Sequence, residues 1–400
     1  MLDHFIYGDV NRISPEAPIP VVRVSHERSM LGGAGNVVRN LSSLGAQVVL
    51  VTVVGADSNA DLIGKELKQL PNCALHAVTD AGRKTSVKTR FISGSQQLLR
   101  VDNESTHSID DAILTELLAQ FEELVPACDV VILSDYAKGV LKDEGAARFI
   151  TAARKAGKPV FVDPKGRDFN RYRGASLVKP NLQELAEATN LPVSSDAEVE
   201  AASLRLIEQN EIGAVLVTRG GLGMMLVRPG AAVVSLKAVA REIFDVSGAG
   251  DTVAAAFAAG VASGMPMEDA MHVANVAAGL VVAKVGTATT TQDQLLAELE
   301  GAHRLDADTR VVAIEEAVHR VRLWRRLGLR VGLVRRSFDV VDPAAIAFLQ
   351  QSRQQCDRLI VATEAKPLLL ASMVYVDLVI TGSPTADILV KELRPDYSVV

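Results

Sequence analysis

Short apolar runs alternate with longer segments of helical periodicity between about Val48 and Gly286. Such alternation is typical of βαβ units, in which helices cover parallel strands. The pattern therefore predicts an α/β fold with a mainly parallel sheet flanked by helices. The predicted strands are Val48–Val54, Val130–Leu133, Val160–Val162, Leu177–Val178 and Ala214–Val217, and helices predicted between them include Ala112–Leu124 and Ala146–Ala156.

Two more runs resemble strands, but no helix follows them. Ile19–Val24 and Lys84–Ile92 alternate apolar and polar residues, as half-buried strands do. We expect them to form a small antiparallel sheet attached to the main one as a lid.

The pattern changes after about Asp306. Val312–Leu327 keeps one apolar face at helical spacing. The polar stretch Gly301–Thr309 lacks clear periodicity, so we place a boundary there and predict domains over residues 1–305 and 306–400. The later domain is a second, shorter α/β unit whose further predicted elements are the strand Arg330–Val334, the helix Pro343–Gln351 and the strands Arg358–Thr363 and Val376–Thr381.

The composition is that of a globular protein, because 48% of the 400 residues are hydrophobic and 22% are charged. A net charge of −6 gives no overall attraction to nucleic acid or to an anionic membrane, so we expect neither as a partner. The cysteines, Cys73, Cys128 and Cys356, form no CxxC pair. With no recognisable secretory signal, this favours reduced thiols and a cytoplasmic location.

Polar residues follow four consecutive predicted strands. They are Ser134-Asp135, Asp163-Pro164-Lys165, Lys179-Pro180-Asn181 and Thr218-Arg219-Gly220. In open α/β sheets, ligands bind outside the carboxyl ends of the strands. The sequence therefore predicts a ligand site at this edge of the sheet.

The strongest local motif is Asp245–Thr252, which reads DVSGAGDT and precedes the helix-compatible run Val253–Val261. Small residues let the backbone approach a ligand closely, and the helix start presents unpaired N–H groups to an anion. Asp251 lies at this start, where a carboxylate can accept the proton of an attacking hydroxyl. A bare Gly-x-Gly would more often be an ordinary helix start, but the paired aspartates favour a phosphoryl site.

Two weaker motifs accompany it. Gly32–Asn36 is a second glycine-rich stretch before a helical run, Val37–Leu44, which is a common arrangement. Asn181 and Glu184 offer hard oxygens that could orient Mg²⁺-bound water. An N-cap with an acidic first turn explains their spacing equally well.

These motifs together resemble the two signatures of the ribokinase-like (PfkB) carbohydrate kinases over about the first 300 residues. The resemblance implies that Asp251 is the catalytic base, that Gly248, Ala249 and Gly250 form the anion hole, and that Asn181 and Glu184 hold Mg²⁺ through water. It places the ATP site at Asn181, Leu182, Gln183, Glu184, Thr218, Gly220, Gly223 and Asn275. It places the sugar phosphate at Gly33, Asn36, Lys88, Arg90, Gln97 and Arg100.

Finer matches resemble the D-glycero-β-D-manno-heptose 7-phosphate kinase branch. They are Arg12–Val22, Ser95–Arg100, Leu133–Gly139, Asp163–Gly166 and Tyr172–Gly174. This branch phosphorylates the C1 hydroxyl of the heptose to give the 1,7-bisphosphate for ADP-heptose and lipopolysaccharide core synthesis. The resemblance implies ATP and Mg²⁺ as cofactors, leaves room for a monovalent cation, and implies a homodimer joined through the lid.

Two departures from the family accompany this resemblance. It places one further strand of the central sheet before Met1, so we expect weak stability and low kinase activity from the chain as given. The later domain resembles a nucleotidyltransferase that continues beyond Tyr397. Its His-x-Gly-His signature is replaced by Asp342-Pro343-Ala344-Ala345. We therefore expect no adenylyltransferase activity, since neither Asp nor Ala can stabilise a triphosphate.

Two alternatives remain open at this point. The chain could be an impaired remnant that acts as a binding or scaffold subunit, or a PfkB kinase for another sugar. Retention of Asp251, the anion hole and Asn181/Glu184 favours the heptose kinase.

Overall fold

The computed structural model describes residues 1–94, 96–239, 245–284, 286–305, 310–326, 329–382 and 384–399. It divides into two compact units, Met1–Leu295 and Leu296–Val400. The stretch in which we predict the domain boundary is in part helical, because a helix spans Gln292–Leu305; residues 306–309 of that stretch lie outside the described residues. Among the residues described, no helix is long and apolar enough to cross a membrane.

Among the residues described, the first unit contains the strands β1 to β12, the helices α1 to α8 and the first residues of α9. The strands are β1 Leu2–Ile13, β2 Pro20–Leu31, β3 Val48–Val54, β4 Cys73–Thr79, β5 Val87–Ser93, β6 Gln96–Asn103, β7 Val131–Ser134, β8 Val160–Asp163, β9 Leu177–Val178, β10 Val215–Thr218, β11 Met224–Val227 and β12 Val234–Leu236. The helices are α1 Ala34–Ser43, α2 Ser58–Lys68, α3 Asp111–Leu124, α4 Gly145–Lys155, α5 Leu182–Thr189, α6 Asp196–Asn210, α7 Ala249–Ala262, α8 Met267–Val282 and α9 Gln292–Leu305.

The central sheet has six strands in the order β12-β11-β10-β9-β8-β7. The strands from β7 to β10 are parallel, and β11 and β12 add an antiparallel edge. Strand β8 is buried at Val160, Phe161 and Val162, which explains its continuous apolar run. The strands predicted between Val130 and Val217 are confirmed as parallel neighbours in this sheet, and their carboxyl ends meet at one edge.

Strands β3 and β4 form a separate parallel pair. Val51 and Val53 of β3 pack against the same core as Val131 and Leu133 of β7. Among the described strands, β3 pairs only with β4, and β7 pairs only with β8.

The lid is a four-stranded sheet in the order β2-β1-β5-β6. The two strands predicted for the lid, which correspond to β2 and β5, are not neighbours. Strand β1 lies between them, antiparallel to β2 and parallel to β5, with Leu2 opposite Val87. The chain passes through β2, α1, β3, α2 and β4 between β1 and β5, and this long connection delivers β5 in the same direction as β1.

The second unit is a five-stranded parallel sheet in the order β13-β16-β15-β14-β17. The predicted strand Val376–Thr381 is shorter in the structure. Its strands are β13 Val311–Val312, β14 Val331–Arg335, β15 Arg358–Ala362, β16 Leu378–Ile380 and β17 Tyr397–Val399, and its further helices are α10 Ile314–Arg326, α11 Pro343–Gln354, α12 Pro367–Ala371 and α13 Ala386–Leu393.

Candidate active site

Helix α7 begins with an open N-terminus. Gly248 occupies the N-cap position with φ +80°, and as a glycine it has no side chain with which to cap the helix. A Cβ on Gly248 would lie 2.7 Å from Nδ2 of Asn36, and one on Gly250 would lie 3.4 Å from Nζ of Lys179. The first N–H groups of a helix have no partner within it. The residues predicted as the anion hole, Gly248, Ala249 and Gly250, lie at this helix start, whose dipole end favours an anion. The N–H of Ala249 itself donates to the carbonyl of Val246 at 3.2 Å.

Asp251 lies in the first turn of α7, and two residues from other elements hold its carboxylate. Asn36 of α1 donates from Nδ2 to Oδ2 at 2.8 Å. The hydroxyl of Tyr136, which follows β7, donates to Oδ1 at 2.5 Å. Helices α1 and α7 are further joined where the Thr252 hydroxyl donates to Oδ1 of Asn40 at 2.9 Å. Both carboxylate oxygens are therefore fixed in direction.

Burial raises the pKa of Asp251 above its ordinary value. The hydrogen bonds from Tyr136 and Asn36 act in the opposite direction, since they stabilise the ionised form. The nearby carboxylate of Asp163 raises the pKa of Asp251 and the ammonium of Lys179 lowers it. A desolvated carboxylate whose pKa is raised, yet which keeps two donors, has the character of a general base.

Lys179 and Asp163 form a buried ion pair beneath the start of α7. Lys179, at the end of β9, is 6% exposed, and its Nζ lies 2.9 Å from Oδ1 of Asp163 at the end of β8. Burial raises the pKa of Asp163, although Lys179 opposes the shift. The sequence motifs assign no role to Lys179. Its place at the end of a strand suggests a position near the ligand site, but its burial becomes evident only from the fold.

The segment that carries Tyr136 is held rigidly. Asp135 accepts from the backbone N–H of Ala137 at 2.7 Å and from the hydroxyl of Tyr172 at 2.7 Å. Arg171 lies 3.1 Å from the same carboxylate. Tyr172 is fully buried, so the anchor is internal to the core.

The Asn181–Glu184 pair forms a capping box on α5. Asn181 accepts from the backbone N–H of Glu184 at 2.8 Å, and Glu184 accepts from the N–H of Asn181 at 3.1 Å. Oε1 of Glu184 also lies 3.0 Å from Nζ of Lys165. Both carboxylate oxygens thus have partners, which fits a metal held through water better than direct ligation. The described residues contain no group of three or more His, Cys, Asp or Glu that could hold a metal ion.

The other residues predicted for ATP lie on neighbouring elements. Thr218 ends β10, and its N–H donates to the carbonyl of Pro180 at 3.0 Å, which joins it to the Asn181 segment. Gly223 has φ +90°, and a Cβ there would lie 2.0 Å from the carbonyl oxygen of Leu236. Asn275 on α8 is buried and donates to the carbonyl of Lys237 at 2.8 Å. Leu182 and Gln183 begin α5, and Gly220 has φ +56° in the turn after β10.

The lid presents most of the residues predicted for the sugar phosphate on one face. Strand pairing places Lys88, Arg90 and Arg100 on the same side as Asp3, and we call this the Asp3 face. Gln97 lies opposite Ile92 on that face. Ser95 lies outside the described residues.

Lys88, Arg90 and Arg100 each contact a carboxylate. Nη1 of Arg90 lies 2.5 Å from Oδ1 of Asp3. Lys88 and Arg100 contact Asp102, at 2.7 and 3.0 Å respectively.

Asp3 and Gly33 connect the Asp3 face to the Asp251 region. A Cβ on Gly32 would lie 2.1 Å from Oδ2 of Asp3, so a side chain there would displace that carboxylate. Gly33, with φ +55°, would bring a Cβ within 3.3 Å of the Tyr136 ring. Asn36 lies one turn further along α1 and contacts Asp251 itself.

The start of α11 in the second unit differs from that of α7. Asp342 caps the helix, because its Oδ1 accepts from the N–H of Ala345 at 2.8 Å. These two residues stand where the resemblance to a nucleotidyltransferase places histidines. Ala345 is buried and offers no polar atom beyond its backbone.

Comparisons with known proteins identify the family of this chain. Residues 1–294 match the pfkB family of carbohydrate kinases. The "Bifunctional protein HldE" of Paramagnetospirillum magneticum is 43% identical over 419 aligned residues, covering 100% of this chain and 86% of the relative. The protein of the same name from Rhodospirillum rubrum is 44% identical and covers 100% of this chain and 84% of its own length.

Solved structures support the same fold. A ribokinase of Arabidopsis thaliana, complexed with ribose and ATP, covers 74% of this chain and 95% of its own, with a TM-score of 0.59 and 20% identity. Phosphofructokinase-2 of Escherichia coli covers 74% and 94%, with a TM-score of 0.63 and 20% identity. The first unit thus has the ribokinase-like fold, and the chain belongs to the pfkB family of carbohydrate kinases, as a sugar kinase of the branch that contains the HldE proteins.

Proposed function

We propose that the chain transfers the γ-phosphoryl group of ATP to the C1 hydroxyl of D-glycero-β-D-manno-heptose 7-phosphate, giving the 1,7-bisphosphate for ADP-heptose synthesis. One observation carries the chemistry: a buried carboxylate, Asp251, is fixed by Asn36 and Tyr136 at the open start of α7. The full-length similarity to HldE proteins supports the choice of sugar.

Asp251 acts as the general base in this proposal. A carboxylate oxygen has two acceptor sites, so each oxygen keeps one after accepting from Asn36 or Tyr136. A free site can accept the proton of the C1 hydroxyl as that oxygen attacks phosphorus. Burial favours the uptake of a proton, because it penalises the ionised carboxylate.

The start of α7 stabilises the transferring group. The dipole end of the helix favours negative charge, and the ammonium of Lys179 adds a positive charge close to Gly250. Mg²⁺, when bound, neutralises the phosphate oxygens. Asn181 and Glu184 would hold it through water.

The Asp3 face supplies the donors for the 7-phosphate. Lys88, Arg90 and Arg100 share that face, and guanidinium and ammonium groups suit a phosphate. Each is now paired with a carboxylate, so the sugar phosphate would compete with Asp3 and Asp102 for them.

The test is a turnover assay of the full chain with ATP, Mg²⁺ and a panel of sugars. We expect heptose 7-phosphate to give the highest kcat/KM and ³¹P NMR to show a new anomeric phosphate. A higher kcat/KM with fructose 6-phosphate or ribose would favour a kinase for another sugar. Absence of both turnover and a ligand-induced thermal shift would favour the scaffold alternative.

We further propose that the second unit does not transfer adenylyl groups. Asp342 places a carboxylate at the start of α11 and uses it to cap that helix, which opposes the binding of a triphosphate. Incubation of the chain with ATP and heptose 1-phosphate should give no ADP-heptose. Detection of ADP-heptose would overturn this proposal.

The outer face of the lid supports the homodimer that we propose. Ile6, Phe91 and Leu99 are paired across β1, β5 and β6 on the side opposite the Asp3 face. Leu99 is 56% exposed and Val101 is 46% exposed. Light scattering should give a dimer that Leu99→Glu weakens, whereas a monomeric wild-type chain would contradict the proposal.

A further inference from the structure

Tyr136 lies in Leu133–Gly139, one of the segments that carry the family resemblance, but the resemblance assigns no role to this residue. Its hydroxyl lies 2.5 Å from Oδ1 of Asp251, across 115 residues of sequence. Burial and the carboxylate of Asp251 raise the pKa of Tyr136 well above its ordinary value, so the phenol stays protonated and can only donate to that carboxylate.

We propose that Tyr136 is a positioning residue for the kinase reaction: its hydroxyl, together with the amide of Asn36, fixes the plane of the Asp251 carboxylate and keeps it ready to accept a proton. The inference rests on the proposed role of Asp251 as the base.

Rigidity of the segment is the first support. Asp135 is anchored by Tyr172 and Arg171 on one side and by the N–H of Ala137 on the other. Ala137 adopts φ +55°, a conformation uncommon for a residue with a side chain. These contacts hold the backbone beside Tyr136 in place without a substrate. The position of Tyr136 is therefore determined by the protein core.

The second support is that each oxygen of the Asp251 carboxylate accepts a hydrogen bond from a different residue. Oδ1 receives Tyr136 and Oδ2 receives Asn36, whose own Oδ1 accepts from Nη1 of Arg39 at 3.4 Å. A carboxylate held at both oxygens cannot rotate, which is the condition for delivering one lone pair to a defined hydroxyl.

The charged groups around the pair set the direction of the expected pH effect. Asp163 and Lys179 face Asp251 from the ends of β8 and β9, with opposite effects on its pKa. Asp3 faces Tyr136 from the lid and helps to keep the phenol protonated. The hydrogen bond from Tyr136 stabilises ionised Asp251, so its removal should raise the pKa of this carboxyl group.

The experiment compares pH profiles of kcat for wild type and Tyr136→Phe, with saturating ATP and heptose 7-phosphate. We expect the acidic limb of Tyr136→Phe to move up by about one pH unit, the low end for loss of a hydrogen bond to a charged group. The plateau of kcat should fall about tenfold through lost orientation, while KM for ATP stays unchanged. Tyr375→Phe, in the second unit, is the matched control and should leave the profile unchanged.

A second variant tests the idea even if Tyr136→Phe does not fold. Site-specific 3-fluorotyrosine at position 136 keeps the ring and the hydroxyl but donates more strongly, so the acidic limb should move to lower pH. Opposite shifts in the two variants are the expected result. A Tyr136→Phe profile that superimposes on wild type, or a fluorotyrosine profile that does not move, would refute the proposal.

An independent readout separates this inference from the proposed function. The ¹³Cγ resonance of Asp251, assigned by its loss in Asp251→Asn, reports ionisation without turnover. If wild type prefers another sugar, the heptose assignment fails while the resonance still shifts in Tyr136→Phe. If the resonance is unchanged, Tyr136 has no hold on Asp251 whichever sugar is phosphorylated.

Discussion

Two helices, α7 in the first unit and α11 in the second, begin in opposite ways. Helix α7 starts at a glycine with no capping side chain, and its acidic residue, Asp251, is held by residues of other elements. Helix α11 starts at Asp342, whose carboxylate accepts a hydrogen bond from the backbone of the same helix. A helix N-terminus favours anions in general, but only one left uncapped can offer that property to a ligand.

The surroundings of an acidic residue at a helix start, and not the local motif, decide whether that residue can take part in chemistry. Asp251 is desolvated, and its pKa is raised by burial. Asp342 satisfies the backbone of α11, as ordinary N-caps do. In the function that we propose, the first carboxylate contributes to the reaction at a cost in stability, and the second contributes only to stability.

The largest expected effect comes from Asp251→Asn. The amide keeps the shape and can still bond to Asn36 and Tyr136, but it cannot take the proton of the C1 hydroxyl. We expect kcat to fall roughly 10²–10⁴-fold with little change in ATP affinity. Steady-state kinetics and calorimetric titration with ATP measure the two quantities. Near-normal turnover would refute the assignment of the base.

The same variant should raise stability at neutral pH. The pKa of Asp251 is raised in the folded state, so the folded chain binds its proton more tightly than the unfolded chain. Stability is then lost as the pH rises from the ordinary value of the carboxyl group through the raised one. The Tm of Asp251→Asn should exceed that of wild type at pH 7, and the difference should shrink toward acid pH.

The next largest effect concerns the buried pair beneath α7. Lys179→Met leaves Asp163 without its partner, at side-chain exposures of 7% and 18%. We expect the free energy of unfolding to fall by about 3 kcal/mol, measured by urea denaturation. Arg167→Met is the control, because Arg167 is 79% exposed and its contact with Glu187 is worth at most about 1 kcal/mol. Equal losses in both variants would argue against a stabilising pair.

The periodicity of apolar residues along the chain predicts single strands and helices of this fold, but not how the strands pair. The apolar run Val160–Val162 becomes β8 because burial on both faces requires a continuous run. Strand β1 has no such signal, since Asp3, Phe5 and Tyr7 point to one face and His4 and Ile6 to the other, so both faces mix polar and apolar residues. Its pairing with β5, which joins Leu2 to Val87, depends on a crossover that no local pattern encodes.

The candidate site likewise combines a part that the local sequence predicts with contacts that only the fold creates. The motif around Asp251 is contiguous and could be found by its spacing. Its contacts with Asn36 and Tyr136 span 215 and 115 residues, and they exist only once α1, β7 and α7 meet. Lys179 shows the same limit, because a lysine after a strand is usually solvated and only the fold buries this one.

We expect the smallest effect from a change to Asp342, which caps α11. Asp342→Ala removes the cap of α11, which should cost the second unit about 1 kcal/mol. Asp342→Asn is the matched control, since an asparagine oxygen can still accept from the N–H of Ala345 and should preserve most of the stability. Kinase kcat should be unchanged in both variants, because Asp342 caps a helix of the second unit while the proposed kinase site is built from the first. A loss of kinase activity without a loss of stability would show that α11 does more than maintain its own unit.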